Sequence, residues 1–213
     1  MKGSETVSKI TLLFGTGNPS KLNTMRESLT GLDIELLSLR DIEKSPPDVD
    51  ESGTSPLENA RIKALSYYRF CGVPVFSLDS GLFFENVPDE LQPGVHVRNV
   101  GGNHLSDNEM IAYYSALAHE YGGRLTARYK NALCLVMSEN EIYQCMDESL
   151  WGKAFYLTDT PHKRQHMEGF PLDRLSVEIE SGEYYYDLPQ SVESSMNIGF
   201  RSFFENLLKE KLL

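Results

Sequence analysis

A chain of 213 residues with 40% hydrophobic and 24% charged side chains is long enough to bury a core and has the balance of an ordinary globular domain. Its 20 Lys and Arg against 31 Asp and Glu leave a formal charge of −11, which argues against a general nucleic-acid backbone binder but not against a small anionic ligand served by local cations and a metal. Cys71, Cys134 and Cys145 lack CxxC spacing, and no apolar run reaches transmembrane length or forms a signal-peptide core, so reduced thiols, no membrane partner and a cytoplasmic setting are expected.

Residues 9–14 form an apolar strand candidate, followed at once by Gly15-Thr16-Gly17-Asn18. Pro19-Ser20 opens a predicted helix carrying Leu22, Met25 and Leu29 on one side, with Gly31 as its C-cap. Strand, glycine turn and helix N-terminus aim backbone N–H groups and a helix dipole at one point, which makes an anion cradle. Lys21, in the first turn, opposes that dipole unless an anion binds nearby. The glycine spacing is not that of a Walker A loop, and a plain βα turn reads the same way.

Residues 33–39 are a second strand candidate, before an acidic, proline-bearing loop at 41–53 that contains Asp48, Asp50 and Glu51. Ser55-Pro56-Leu57-Glu58 is a capping box with proline at N1, and Gly72 ends the helix it starts. Leu57, Ala60, Ala64, Leu65 and Tyr68 give that helix an apolar stripe, with Asn59 and Lys63 on one face beside it, a spacing that surface pairs also show. Residues 73–78 return the chain to the sheet and deliver Asp79-Ser80-Gly81-Leu82. Because an apolar strand does not easily hold an unpaired carboxylate, Asp79 is expected at the strand's C-terminal end, where open α/β sheets place ligands. A turn in which Asp79 and Ser80 only cap backbone groups is the alternative.

A loop at 85–94 ends in Pro93-Gly94, with Arg98 just beyond, and Ser106-Asp107-Asn108-Glu109 is a second capping box for a helix running to about Tyr121. Residues 125–138 alternate as one strand or two, Glu139-Asn140 turns a hairpin into 141–146, and 151–157 suits a further strand. His162 and His166 find no third ligand of matching spacing, so 158–174 reads as a solvated loop. The tail at 194–213 is an amphipathic helix with Phe200, Phe203, Phe204, Leu207 and Leu208. With no repeat and no linker, residues 1–213 read as a single α/β domain with mixed connections.

Three signals occur in order: Thr16-Gly17-Asn18-x-x-Lys21, then Glu51-Ser-Gly-Thr-x-x-x-Glu58-Asn59-Ala60-x-x-Lys63-Ala64, then Asp79-Ser80-Gly81-Leu82. That order resembles the Ham1 family of inosine/xanthosine triphosphate pyrophosphatases. The likeness continues through Pro93-Gly94 with Arg98, Ala127-Arg128-Tyr129, Gly169-Phe170 with Asp173, and Leu188-Pro189-Gln190. The resemblance implies an elongated α/β fold with a mixed central sheet flanked by helices, two lobes around a central cleft, and a homodimer. It also implies Mg²⁺-dependent cleavage of a nucleoside triphosphate to the monophosphate and pyrophosphate.

Carried onto this chain, the resemblance makes Thr16, Gly17, Asn18 and Lys21 the cradle of the triphosphate, joined by Lys63 and Ser80. Glu51 is the implied metal ligand, Asp79 a ligand or the base towards the attacking water, and Lys21 stands with Asp79 at the reacting group. Phe170, Asp173 and Arg98 are implied to border the base and the α-phosphate. The chain departs from the family at Leu78 and Thr24, where acids are usual, and at Pro171-Leu172 within a Gly-Phe-Gly-Tyr-Asp segment. Asn197-Ile198-Gly199 replaces a C-terminal Ser-His-Arg, and Glu193 replaces a lysine. In the family those cations contact phosphate and the 6-oxo edge of the base, so their loss points to a relaxed or redirected base preference. Two alternatives stand beside this reading: a catalytically weak nucleotide-binding or regulatory protein on the same scaffold, and a pyrophosphatase for a different phosphate substrate.

Overall fold

The computed structural model describes residues 9–166, 170–189 and 195–211, and the chain divides into two compact units. In chain order the elements are β1 (Ile10–Phe14), α1 (Pro19–Ser28), β2 (Ile34–Ser38), α2 (Pro56–Cys71), β3 (Val75–Phe84), β4 (Asn99–Val100), β5 (Asn103–His104), α3 (Asp107–Glu120), β6 (Arg124–Ser138), β7 (Glu141–Cys145), β8 (Phe155–Thr158), β9 (Ser176–Val177) and α4 (Ser195–Lys211). Parallel and antiparallel ladders share one sheet, which makes this a mixed α/β fold with a central sheet flanked by helices. Among the described residues no helix is long and apolar enough to cross a membrane. Gly169, Gln190 and Glu193 lie outside the described residues.

The first unit comprises residues 1–79, 131–151 and 194–213. Here β1 pairs in parallel with β2 and β3, and the second part of β6 forms an antiparallel hairpin with β7. Strand alternation sorts the side chains onto two faces. Leu12 and Phe14 of β1, Phe76 of β3 and Leu133 and Leu135 of β6 pack with Met25 and Leu29 of the α1 region and with Phe200, Phe204 and Leu207 of α4. On the other face Ala132, Cys134 and Val136 meet Ala60 and Ala64 of α2, whose small side chains let helix and sheet approach closely. Phe14 stacks on Phe76 at 4.6 Å, and Phe76 meets Phe204 edge-on at 4.9 Å.

Gly199, where the resemblance led an arginine to be expected, is buried inside α4, and a Cβ there would collide with the backbone carbonyl of Ser149. This position therefore serves helix packing and has no room for a cation. Arg201, two residues along, donates to the carbonyls of Ser28 and Thr30 at 3.1 and 2.8 Å and pairs with Glu205, so it ties α4 to the end of α1. Alanine at position 199 gains about 0.5–1 kcal/mol of helix preference over glycine, but overlap with rigid backbone costs about 1–3 kcal/mol. Gly199→Ala is accordingly expected to destabilise the protein, seen as a lower urea midpoint; an unchanged midpoint would show that α4 can shift freely.

The second unit comprises residues 80–130 and 152–193. The first part of β6 pairs antiparallel with β8, and β8 with β9. Leu82 and Phe84 of β3, Met110, Ile111, Tyr114 and Leu117 of α3, Leu157 of β8 and Leu172 and Leu175 form its core. Ser106 and Glu109 close the expected capping box, with Ser106 N donating to Glu109 Oε2 at 2.8 Å and Glu109 N to Ser106 Oγ at 3.4 Å.

The solvated-loop expectation for 158–174 is not met. Residues Pro171–Leu175 form a 3₁₀ turn that buries Leu172 and Leu175. The His162 and His166 side chains are only 14% and 13% exposed. His166 Nε2 lies 3.1 Å from Asp107 Oδ2, and the His162 ring packs 5.0 Å from Tyr184 and 5.5 Å from Tyr186, with Asp187 at 3.4 Å. A carboxylate for each ring, and aromatic faces for one, offset the desolvation that burial imposes on them.

Candidate active site

The site grows from the carboxyl end of β1. The last β1 pairs with β3 are Leu13 with Val75 and Phe14 with Phe76, after which Gly15 N donates to Phe76 O at 2.8 Å and the chain leaves the sheet. β3 runs on past β1 to Phe84, so Asp79 stands inside a ten-residue strand and not at its end as expected. What makes the interior position tolerable is pairing: Asp79 is 9% exposed, yet Lys63 Nζ lies 2.7 Å from Oδ1 and Asn59 Nδ2 lies 3.3 Å from Oδ2. Desolvation penalises an unpaired charge, and this one is paired on both oxygens. Asp79 nonetheless sits just beyond the carboxyl end of β1, where open parallel sheets collect ligands.

Period-two alternation also decides which way Asp79 faces. Val75, Ser77 and Asp79 share the side that meets α2: Val75 packs with Tyr67 and Tyr68, and Ser77 Oγ donates to Gly15 O at 3.2 Å beside Tyr67. At Gly15 a Cβ would come within 2.6 Å of the Tyr67 ring, so only glycine lets the turn leave the sheet here. Burial pushes the Tyr67 phenol up, with Lys63 acting in the opposite direction.

Helix α2 is positioned by its cap, where Ser55 Oγ accepts from Glu58 N at 3.2 Å with Pro56 in the first turn. The other half of the expected box is shifted by one residue, since Glu58 accepts from Thr54 N and Oγ1 at 2.7 and 2.9 Å, which holds its carboxyl below the usual carboxylate range. Gly72, at φ 70°, ends the helix in the left-handed region as expected.

Lys63 Nζ bridges two carboxylates, Asp79 at 2.7 Å and Glu51 Oε2 at 2.9 Å. The Lys63 and Asp79 side chains are 11% and 12% exposed, while that of Glu51 is 47% exposed, so the cluster is closed on the sheet side and open towards the acidic loop. Burial first, then the Lys63 ammonium, push the Lys21 amine below its ordinary value; Asp79 and Glu51 act in the opposite direction. Lys21, Lys63, Glu51 and Asp79 thus form one electrostatic cluster of two cations and two anions.

The glycine turn borders this cluster. Thr16 Oγ1 accepts from Asn18 N at 3.2 Å, and Asn18 caps α1 by accepting Lys21 N on Oδ1 at 3.3 Å and Leu22 N on its carbonyl at 3.2 Å. No acidic side chain occupies the first turn of α1, and a Cβ at Gly17 would meet nothing within 4 Å. An anion can therefore approach the turn backbone and the helix N-terminus from the Gly17 side.

Among the described residues no group of three or more His, Cys, Asp and Glu is arranged to hold a metal ion. Glu51 and Asp79 nevertheless already share one cation, the Lys63 ammonium. Two hard oxygen donors from separate elements, with remaining positions left to water and phosphate, fit the coordination habit of Mg²⁺.

Of the other expected site residues, Ser80 follows Asp79 in β3 and begins the second unit. Within that unit Arg98 donates to Leu105 O at 2.9 Å and pairs with Asp107 at 2.6 Å, at the N-terminus of α3. Phe170 is 47% exposed, and burial pushes the Asp173 carboxyl up, against the opposing effect of His166. The residue that sequence reasoning left out of the site is Asn59, although its i,i+4 spacing to Lys63 was visible.

The Ham1 family model matches residues 12–181. The chain is 33% identical over 135 residues to a dITP/XTP pyrophosphatase of Rhodopseudomonas palustris, covering 62% of each chain. It is 34% identical over 132 residues to one of Exiguobacterium sp., covering 61% of this chain and 64% of that one. The matched stretch thus spans less than two thirds of these relatives' own length. Among solved structures a HAM1 protein from Coxiella burnetii has the same fold, with a TM-score of 0.73 at 23% identity over 94% of this chain and 99% of that one. By its ordered motifs, its fold and the family match across most of its length, this chain belongs to the Ham1 family.

Proposed function

We propose that the protein is a Mg²⁺-dependent nucleoside triphosphate pyrophosphatase that hydrolyses ribo- or deoxyribonucleoside triphosphates to the monophosphate and pyrophosphate, with a base preference of its own. The observation that carries this is Lys63 seated between Glu51 and Asp79, beside an anion-accepting turn and Lys21. The relatives named dITP/XTP pyrophosphatase support the same reaction class, with non-canonical purine nucleotides as the first substrates to try.

The chemistry follows from charge. A triphosphate brings several negative charges to a cluster whose own charges cancel, so binding requires donors at the oxygens and added positive charge. The turn at residues 15–18 and the N-terminus of α1 offer backbone N–H groups, and Lys21 and Lys63 offer ammonium groups for the phosphate oxygens. Glu51 and Asp79 would hold Mg²⁺, which when bound neutralises developing phosphate charge and favours ionisation of water. The attacking water gives its proton to Asp79 and bonds to the α-phosphorus as the α–β anhydride breaks, and the bridging oxygen leaves with pyrophosphate. Base choice is open to change because position 199, where the resemblance implies a cation, is a glycine with no room for a side chain.

The test is pyrophosphate and orthophosphate release, with Mg²⁺, across ordinary and deaminated ribo- and deoxyribonucleoside triphosphates. Pyrophosphate from at least one member is the expected result. Silence across the panel overturns the reading, and silence with a nucleotide-induced rise in Tm would identify a binding protein.

A further inference from the structure

We propose that Asn59 is a positioning residue that fixes the carboxylate plane of Asp79 and joins it to the acidic loop, an inference that rests on the pyrophosphatase reading. Asn59 is 3% exposed, so its carboxamide has little water to serve and must find its partners within the protein. It finds two. Gly53 N lies 2.8 Å from Oδ1 and Asp79 Oδ2 lies 3.3 Å from Nδ2. A backbone N–H can only donate, so the atom facing Gly53 is the oxygen and the NH₂ group is left for the carboxylate. The orientation of the amide is thus decided by its partners.

One helical turn on, Lys63 repeats the arrangement with charge, contacting Oδ1 of the same carboxylate and Glu51 of the same loop. Helix α2 therefore grips Asp79 by both oxygens and the loop at two points, through residues four apart on one face. The loop backbone comes so close that a Cβ at Gly53 would lie 2.6 Å from Asn59 Oδ1 and 2.8 Å from Glu58 Cβ. A neutral donor on Oδ2 restrains rotation of the carboxylate without adding a second positive charge. Lys63 can then exchange partners while Asp79 keeps its aim. Partners of this kind, one step removed from the reacting group, are worth about 10–100-fold in activity.

Asn59→Asp separates the two contacts: the new carboxyl still accepts from Gly53, while towards Asp79 Oδ2 the neutral donor is replaced by a like charge that the buried pair relieves only by sharing a proton. The expected result is kcat lowered about 10–100-fold with KM unchanged, the pattern of a contact that acts only in the transition state. Gly53 amide protection should be kept in Asn59→Asp and lost in Asn59→Ala, while both variants lose kcat. A kcat retained in Asn59→Asp, or a loss confined to KM, overturns the proposal. An independent readout uses the ¹⁵N-labelled full chain: the Asn59 carboxamide protons should shift upfield in Asp79→Ala, and unchanged resonances overturn the proposal even if Asn59→Asp fails to fold. A native protein that releases no pyrophosphate defeats the functional reading instead, and the carboxamide signal distinguishes the two failures.

Discussion

Asp79→Asn is expected to lower kcat by about 10²–10⁴-fold, the usual contribution of a positioned general base, while leaving the protein folded. Asparagine has the same shape as aspartate, so the interior of β3 need not move. One oxygen remains to accept from Lys63, and Lys63 keeps Glu51 at 2.9 Å. The amide must turn its NH₂ group towards Asn59, which faces it with an NH₂ of its own, so one buried donor is left unmatched. That mismatch costs about 1–3 kcal/mol, a lower Tm but not unfolding. Pyrophosphate release and a circular-dichroism melt on the same preparation check both parts. Full activity in this variant would remove Asp79 from the reaction.

Lys63→Met should have the larger effect on stability. The methionine fills most of the lysine stem's volume, so what changes is charge. Asp79, 9% exposed, would lose its closest cation and keep only the neutral Asn59 donor and the more distant Lys21. Removing one partner of a buried pair costs about 3–5 kcal/mol, because the remaining charge stays out of water. The asymmetry with Asp79→Asn follows: there the surviving lysine still has Glu51, whereas here both carboxylates lose the same counter-ion. The predicted defect has a specific remedy, since at the proposed Mg²⁺ site a divalent cation and the ammonium would compete for the same oxygens. Mg²⁺ alone should raise the Tm of Lys63→Met more than that of the native protein, by the linkage of binding to folding. Equal responses in both proteins would separate the metal from the Glu51–Asp79 pair. Turnover should fall as well, because a cation for the phosphate oxygens is gone.

Much of the fold was legible because it depends on local rules. The capping residues Ser55 and Ser106, the αL glycine at Gly72 and the hairpin at 139–140 mark element ends by backbone hydrogen bonding that neighbours in sequence complete. The glycine turn before α1 was legible for the same reason. Two readings failed where the deciding partner lay far along the chain. Asp79 could be placed inside a strand only because Lys63 and Asn59, sixteen and twenty residues earlier, reach it from α2. His166 could be buried only because Asp107, 59 residues away, accepts its ring. Burial of a charge is a question of pairing, and pairing across distance does not show in a propensity or a local pattern.

The sequence by itself determined the chemistry available to this protein: the acids, the lysines, the glycine turn, and their order along the chain. Local spacing was enough to put Asn59 and Lys63 on one face of one helix, because 3.6 residues per turn leaves little choice. Only the tertiary structure decided that this face meets Asp79, that Lys63 serves two carboxylates at once, and that Gly199 lets a helix close against the Ser149 backbone. The physical reason is that helix and strand periods are set by neighbouring residues, whereas the charge balance and free space of a site are set by whichever distant segments pack against it.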